Sequence, residues 1–192
     1  MIPTVQRVGN SAREPFLAHL IALPSEDVRL RFGSPLATPA IAAYVERIDF
    51  ERDAVFAVYD DSLAIIGAAH VGFFDDAAEL GVSVLPSHRG HGIGTALVAR
   101  ASEHARNRRT MRLYMHCLAE NAAMMHIARK SGMQICVDTG EADAFLTLPP
   151  ADPASVTGEF VDQRLALFDY ALKSQVAALK RMTAAFSGNQ PR

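Results

Sequence analysis

The sequence predicts a mixed α/β fold: a mostly antiparallel central sheet with helices on both faces and an extra helix at the C-terminus. Three observations carry this. The apolar period changes from helical to extended near residue 50. Two short turns, Asp60-Asp61-Ser62 and Asp75-Asp76, then join three apolar runs into a meander. Beyond the meander the order becomes helix, strand, helix, hairpin and long helix, so the sheet is mixed and covered on both sides.

The helical pieces come first. Ser11 has the chemistry of an N-cap, and Phe16, Leu17, Leu20, Ile21 and Leu23 follow at helical spacing until Pro24 ends the segment. Ser25 caps a short turn through Arg31. Thr38-Pro39 opens a third helix, with Pro39 at its first position and Ile41, Tyr44, Val45 and Ile48 as its apolar face. Strands follow over 54–59, 63–74 and 78–85. After the glycine cluster near residue 90 a helix runs to about Arg108, and 111–117 is a strand. The helix 120–131 is closed by Gly132 in the position that favours a left-handed residue. Short strands at 135–137 and 144–148 flank a turn at Gly140. The prolines of 149–153 make a stiff linker to a helix from about Glu159 to Phe186, with a frayed tail over 187–192. The division is therefore a main domain over 1–150 and a linker plus C-terminal helix over 151–192.

Composition excludes several functions. The chain has 192 residues, is 49% hydrophobic and 21% charged, and carries a net charge of −2. These are ordinary values for a globular domain, and no basic field is present to hold a nucleic-acid backbone or an anionic membrane. Trp is absent and aromatics are 7%, too few for base-stacking platforms. The N-terminus lacks a signal peptide, and no apolar run approaches the ~20 residues of a membrane span, so a cytoplasmic location is expected. Cys117 and Cys136 have no zinc spacing and read as two buried free thiols, with no metal site expected.

The chemistry centres on Arg89-Gly90-His91-Gly92-Ile93-Gly94-Thr95, between a strand and a helix. Glycines at alternate positions let the backbone approach a ligand and turn its N–H groups toward one point. The following helix adds the positive end of its dipole, an arrangement suited to a pyrophosphate. A P-loop would need Gly-Lys-Ser/Thr, and a dinucleotide fingerprint would need a preceding βαβ start with an acidic residue ~20 positions on. Neither is present.

The segment from Val82 to Gly94, with Pro86 after the strand and Arg89-x-x-Gly92-x-Gly94 in the loop, resembles the GNAT superfamily of acyl-CoA-dependent N-acyltransferases. The helix bearing Asn121 and ending Lys130-Ser131-Gly132-Met133 resembles that family's second signature, with Met133 in place of its usual Phe. The runs Arg29-Leu30-Arg31-Phe32-Gly33 and Ile48-Asp49-Phe50 are similar to the GNAT domain of acyl-CoA-synthetase-like protein lysine acetyltransferases. The likeness covers about residues 4–150.

The resemblance implies a GNAT fold and an acetyl-CoA-dependent N-acetyltransferase, moving the acetyl group to a primary amine on a protein lysine or a small molecule, without a metal. Backbone N–H groups from Arg89, Gly90, His91, Gly92, Ile93, Gly94 and Thr95 would hold the CoA pyrophosphate. Val82, Ser83 and Val84 would run beside the pantetheine arm, with the Val84 N–H polarising the thioester carbonyl. Asn121 would touch the pantetheine, cap its helix, or both. Glu79, on the strand face shared with Gly81, Ser83 and Leu85, would sit in the cleft and deprotonate the incoming ammonium, which is not nucleophilic while charged.

The Tyr that often protonates the leaving thiolate is replaced by Ala128. Cys117, His116, Tyr114, His126 and Ser83 are the candidates in its place, and the gap motivates an alternative reading as a non-catalytic acyl-CoA-binding regulatory module. Arg100, His104, Arg106, Arg108, Arg109 and Arg112 read as a solvated face rather than a nucleic-acid surface; of the basic residues, Arg129 and Lys130 are further candidates to reach the CoA 3′-phosphate. In the last helix Val161, Leu165, Phe168, Leu172, Val176 and Leu179 form a stripe that either docks on the sheet or joins two copies as a homodimer.

Overall fold

The computed structural model describes residues 3–187. Seven strands form one sheet in the order β1-β2-β3-β4-β5-β7-β6. The meander is β2 (Ala54–Tyr59), β3 (Ile65–Phe74) and β4 (Ala77–Val84), all antiparallel. A short β1 (Gln6–Val8) pairs with β2 at one edge, an element the sequence reading lacks because three residues carry too little period to be seen. At the other end lie β5 (Arg112–Leu118), β6 (Gln134–Asp138) and β7 (Glu141–Thr147).

Helices α1 (Arg13–Ile21), α2 (Ser25–Phe32) and α3 (Thr38–Glu46) cover one face. Phe16, Leu20 and Val45 bury themselves there against Val55 and Ala57. No side chain caps α1 or α3: Ser11 lies in a 3₁₀ turn, and Ala37, not Thr38, stands at the α3 cap. The other face is covered by α4 (Ile93–Asn107) and α5 (Ala122–Lys130), with Leu97, Val98 and Ala101 packed on Phe56, Val71 and Leu80. A Cβ at Gly67 would lie 2.5 Å from Ile93 Cγ2, so a glycine in β3 is what lets α4 approach the sheet.

The last helix, α6, runs Pro153–Ser187 and starts six residues before the expected Glu159. Asp152 accounts for this: its carboxylate accepts from the Ser155 N–H at 2.7 Å while Ser155 Oγ accepts from the Asp152 N–H at 3.2 Å, closing both ends of the cap. The first turns dock on α4 through polar contacts. Glu159 hydrogen-bonds His104 and Asn107, and Arg100, only 6% exposed, donates to the Glu159 carbonyl. Burial pushes the Glu159 carboxyl up, but the His104 and Asn107 hydrogen bonds outweigh it and draw it down to about 2. Arg100 and Arg106, which reaches Pro150 O, are therefore docking groups rather than a solvated face.

The stripe expected either to dock or to dimerise does not dock. Val161, Leu165, Phe168, Leu172, Val176 and Leu179 are all exposed, Phe168 at 71%. The side turned inward is Ala166 and Gln163, the latter exchanging hydrogen bonds with the Arg7 backbone. The tail reading at 188–192 lies outside the described residues. Both cysteines are free, but Cys136 is exposed, because it lies on the edge strand β6 where only one neighbour covers it.

Candidate active site

The sheet opens at one place. β4 and β5 pair in parallel only from Ala77–Arg112 to Glu79–Tyr114, after which β5 continues with β7 alone. Beyond Glu79, β4 therefore has a free edge. The Leu85 N–H donates to Ile66 O at 2.9 Å, on the β3 side. By the alternation of an antiparallel ladder, the N–H groups of Val84 and Val82 point the other way, into the gap.

The glycine loop closes the end of this gap. Gly90 and Gly92 both have φ near +78°, a conformation that glycine adopts without the cost a Cβ brings. Gly92 is the cap of α4 and offers no side chain to it. The first helical N–H with a backbone acceptor is that of Ala96, bonded to Gly92 O at 2.9 Å. The N–H groups of Ile93, Gly94 and Thr95 are thus presented at the open, positive end of a 15-residue helix. Gly94 has a second role: a Cβ there would meet Ile127 Cδ1 at 2.7 Å, so its absence lets α5 form the opposite wall.

Between these elements lies a cleft of about 440 Å³. Val82, Ser83, Val84, Arg89, Gly90, Gly92, Ile93, Gly94, Thr95 and Asn121 all line it, so residues up to 39 positions apart in the sequence reading come together. Two expected residues do not. His91 turns back, its Nδ1 on the Arg89 carbonyl at 2.8 Å. Glu79 is exposed and stands outside the lining, on the same face as Ser83 but four residues, about 13 Å, down the strand. Arg89 also departs from expectation. Its N–H is used within the turn, on Pro86 O at 3.3 Å, while its side chain bonds Val84 O and pairs with Asp27 at 2.6 Å. It fastens the end of β4 to α2.

Asn121 caps its helix as expected and also lines the cleft. Its Oδ1 accepts from the Met124 N–H at 3.1 Å and its amide lies 3.4 Å from Leu30 O, capping α5 and tying it to α2 while the residue lines the cleft. Lys130 lines the cleft and Arg129 does not. Of the candidate acids, Ser83 and His126 line the cleft; Cys117 is buried beside Met125 and Ala142, and burial together with the charge of Asp143 pushes its thiol up. Ala128 is fully buried on the core face of α5.

The sequence reading missed the wall that α2 supplies through Asp27, Leu30 and Arg31, and the side chains of α1, α3 and β3 linked to the cleft lining. A Cβ at Gly81 would fall 1.9 Å from the Arg31 guanidinium, so Arg31 lies across β4 where that strand has no side chain. Arg31 Nη2 lies 3.3 Å from Tyr44 Oη, which is 2.7 Å from His70 Nδ1, and His70 Nε2 is 3.4 Å from Asp53. His19 reaches Ser83 from α1. Burial first, with the Arg31 charge adding to it, draws both His19 and His70 down to about 4.

A sheet that parts between β4 and β5 beside a backbone cradle for an anion is the arrangement that the GNAT resemblance implies for an acyltransferase that takes its acyl group from CoA. The chain belongs to the acetyltransferase (GNAT) family, whose family model matches residues 24–133. Solved structures share the fold at low identity. The GNAT domain of S. lividans PAT is 19% identical, over 75% of this chain and 89% of that one, with a TM-score of 0.64. A ribosomal-protein-alanine N-acetyltransferase from Brucella melitensis is 21% identical over 75% and 99%, at 0.59. A phosphinothricin acetyltransferase from Sinorhizobium meliloti, in complex with AcCoA, is 16% identical over 80% and 95%, at 0.62. Comparison with curated proteins gave no match. Among the described residues no helix is long and apolar enough to cross a membrane, and no group of His, Cys, Asp or Glu could hold a metal ion.

Proposed function

We propose that this chain transfers an acetyl group from acetyl-CoA to a primary amine, on a protein lysine or a small molecule, by direct attack in a ternary complex. The observation that carries this is the free β4 edge at Val82 and Val84 leading into the N–H groups of Ile93, Gly94 and Thr95. The pantetheine arm pairs along that edge, the pyrophosphate rests on the loop, and the Val84 N–H stabilises the oxyanion as the amine attacks. Glu79, exposed on the acceptor face, takes the proton of the incoming ammonium through water. A cytoplasmic location belongs to the same reading.

Thiol release from acetyl-CoA with lysine peptides, spermidine and free amino acids tests the proposal. Release with at least one of them supports it. Tight acetyl-CoA binding without release favours the second reading, a non-catalytic acyl-CoA-binding module, which the buried Ala128 at the usual Tyr position motivates.

The exposed α6 stripe, spaced by steps of four or three residues, has the self-complementary pattern of a coiled-coil seam. A second copy of the chain is its proposed partner. Sedimentation at high concentration should give a dimer; a monomer there removes this contact.

A further inference from the structure

Ser83 and His19 are hydrogen-bonded in a way that fixes where every proton lies. His19 Nδ1 is 2.9 Å from Ile65 O, and His19 Nε2 is 2.9 Å from Ser83 Oγ. A carbonyl oxygen only accepts, so Nδ1 carries the hydrogen. In the neutral ring Nε2 is then a lone-pair acceptor, and the Ser83 hydroxyl must donate to it. His19 is 3% exposed, and burial keeps it uncharged at neutral pH. With its hydrogen committed inward, the Ser83 oxygen presents only lone pairs to the cleft it lines. Ser83 immediately precedes Val84, whose N–H points into the gap. Residue 128, where the resemblance implies a proton-donating Tyr, is Ala and does not line the cleft.

We propose that Ser83 and His19 form a proton shuttle that carries a proton from the attacking amine to the departing CoA sulfur. The proposal rests on the acetyl-transfer reading. As the amine nitrogen bonds to the thioester carbon, the carbonyl π pair moves to oxygen and the nitrogen becomes positive. Its proton passes to Ser83 Oγ while the Ser83 hydrogen passes to His19 Nε2. The oxygen pair then re-forms the carbonyl and the C–S bond breaks, leaving a thiolate. The His19 imidazolium returns its proton through Ser83 to sulfur, and the products are an amide and the free thiol. The proton removed earlier from the ammonium leaves by Glu79, so two protons depart by two routes. A buried imidazolium is a strong acid, which drives the return step.

Ser83→Ala removes the relay, Ser83→Thr keeps the hydroxyl, and His19→Gln keeps an acceptor without a base. With whichever amine probe supports thiol release, Ser83→Ala and His19→Gln should lower kcat about 10²-fold, with KM and Kd for acetyl-CoA within about threefold. Ser83→Thr should recover most of the loss. A residue that merely holds the wall would change KM and Kd together with kcat. Wild-type kcat in a folded Ser83→Ala protein overturns the shuttle while leaving acetyl transfer intact. Acetylated Ser83 detected by mass spectrometry after mixing with acetyl-CoA also overturns it, in favour of covalent transfer. Absence of thiol release by the wild-type protein with every probe overturns the transfer reading and the shuttle with it.

Discussion

The two sides of β4 are built on different plans. The donor side is made of backbone: the free N–H groups of Val82 and Val84 and the helix-end N–H groups of Ile93, Gly94 and Thr95, shaped by Gly90 and Gly92 at positive φ. The other side, which the proposed reaction gives to the acceptor, is made of side chains brought by separate elements, His19 from α1, Arg31 from α2, Tyr44 from α3 and His70 from β3. The contrast teaches how recognition is divided. Backbone donors fit a phosphate and a thioester common to all acyl-CoA molecules, and they need only the glycines that expose them. In the proposed reaction the side chains on the other face select the amine.

The largest difference between the sides should appear with Glu79→Gln, which removes a base from the acceptor face and touches no donor-side group. Turnover should fall roughly 10²- to 10⁴-fold while acetyl-CoA affinity by calorimetry stays unchanged, and the deficit should shrink as rising pH delivers more neutral amine. Wild-type turnover at pH 7 would take Glu79 out of the mechanism.

A smaller effect separates the sides by pH. His19 and His70 are held at about 4 against an ordinary 6.5, chiefly by burial. Between those values the unfolded chain binds their protons and the native protein does not, so stability should be full above pH 6.5 and decline as pH falls toward 4. The loss is on the order of 3 kcal/mol per histidine. Urea unfolding at pH 7 and pH 4.5 measures it, and a midpoint that does not move would contradict the buried, neutral rings. Glu159 adds to the loss only below its ordinary 4.5.

The same contrast explains what could be read from the chain. The donor side was legible because its parts are contiguous: residues 82–95 carry a strand, a turn and a helix start in one run, and the glycine spacing has few other uses. Asn121 was legible as a cap because capping is local. The acceptor side joins residues with no sequence relation, such as His19 with Ser83, 64 positions apart, or Arg31 over Gly81. A lone histidine among apolar neighbours gives no sign of its partner. Glu79 was placed on the right strand face by alternation, but alternation says nothing of how deep a residue sits, and it proved exposed. The α6 stripe was visible by its period, which is silent on whether a partner comes from the same chain.

The central claim, that acetyl-CoA lies along the β4 edge and on the glycine loop, is tested most directly by amide hydrogen exchange resolved by residue, with and without acetyl-CoA. The amides of Val82, Val84, Ile93, Gly94 and Thr95 should gain protection on binding. In Gly92→Val, where a β-branched residue must take φ near +78°, the loop should lose its shape, affinity should fall roughly 10²-fold and the protection should vanish. Protection elsewhere, as around Arg106 and Leu165 in the hollow of about 750 Å³ between α4 and α6, with these five amides unchanged, would contradict the account.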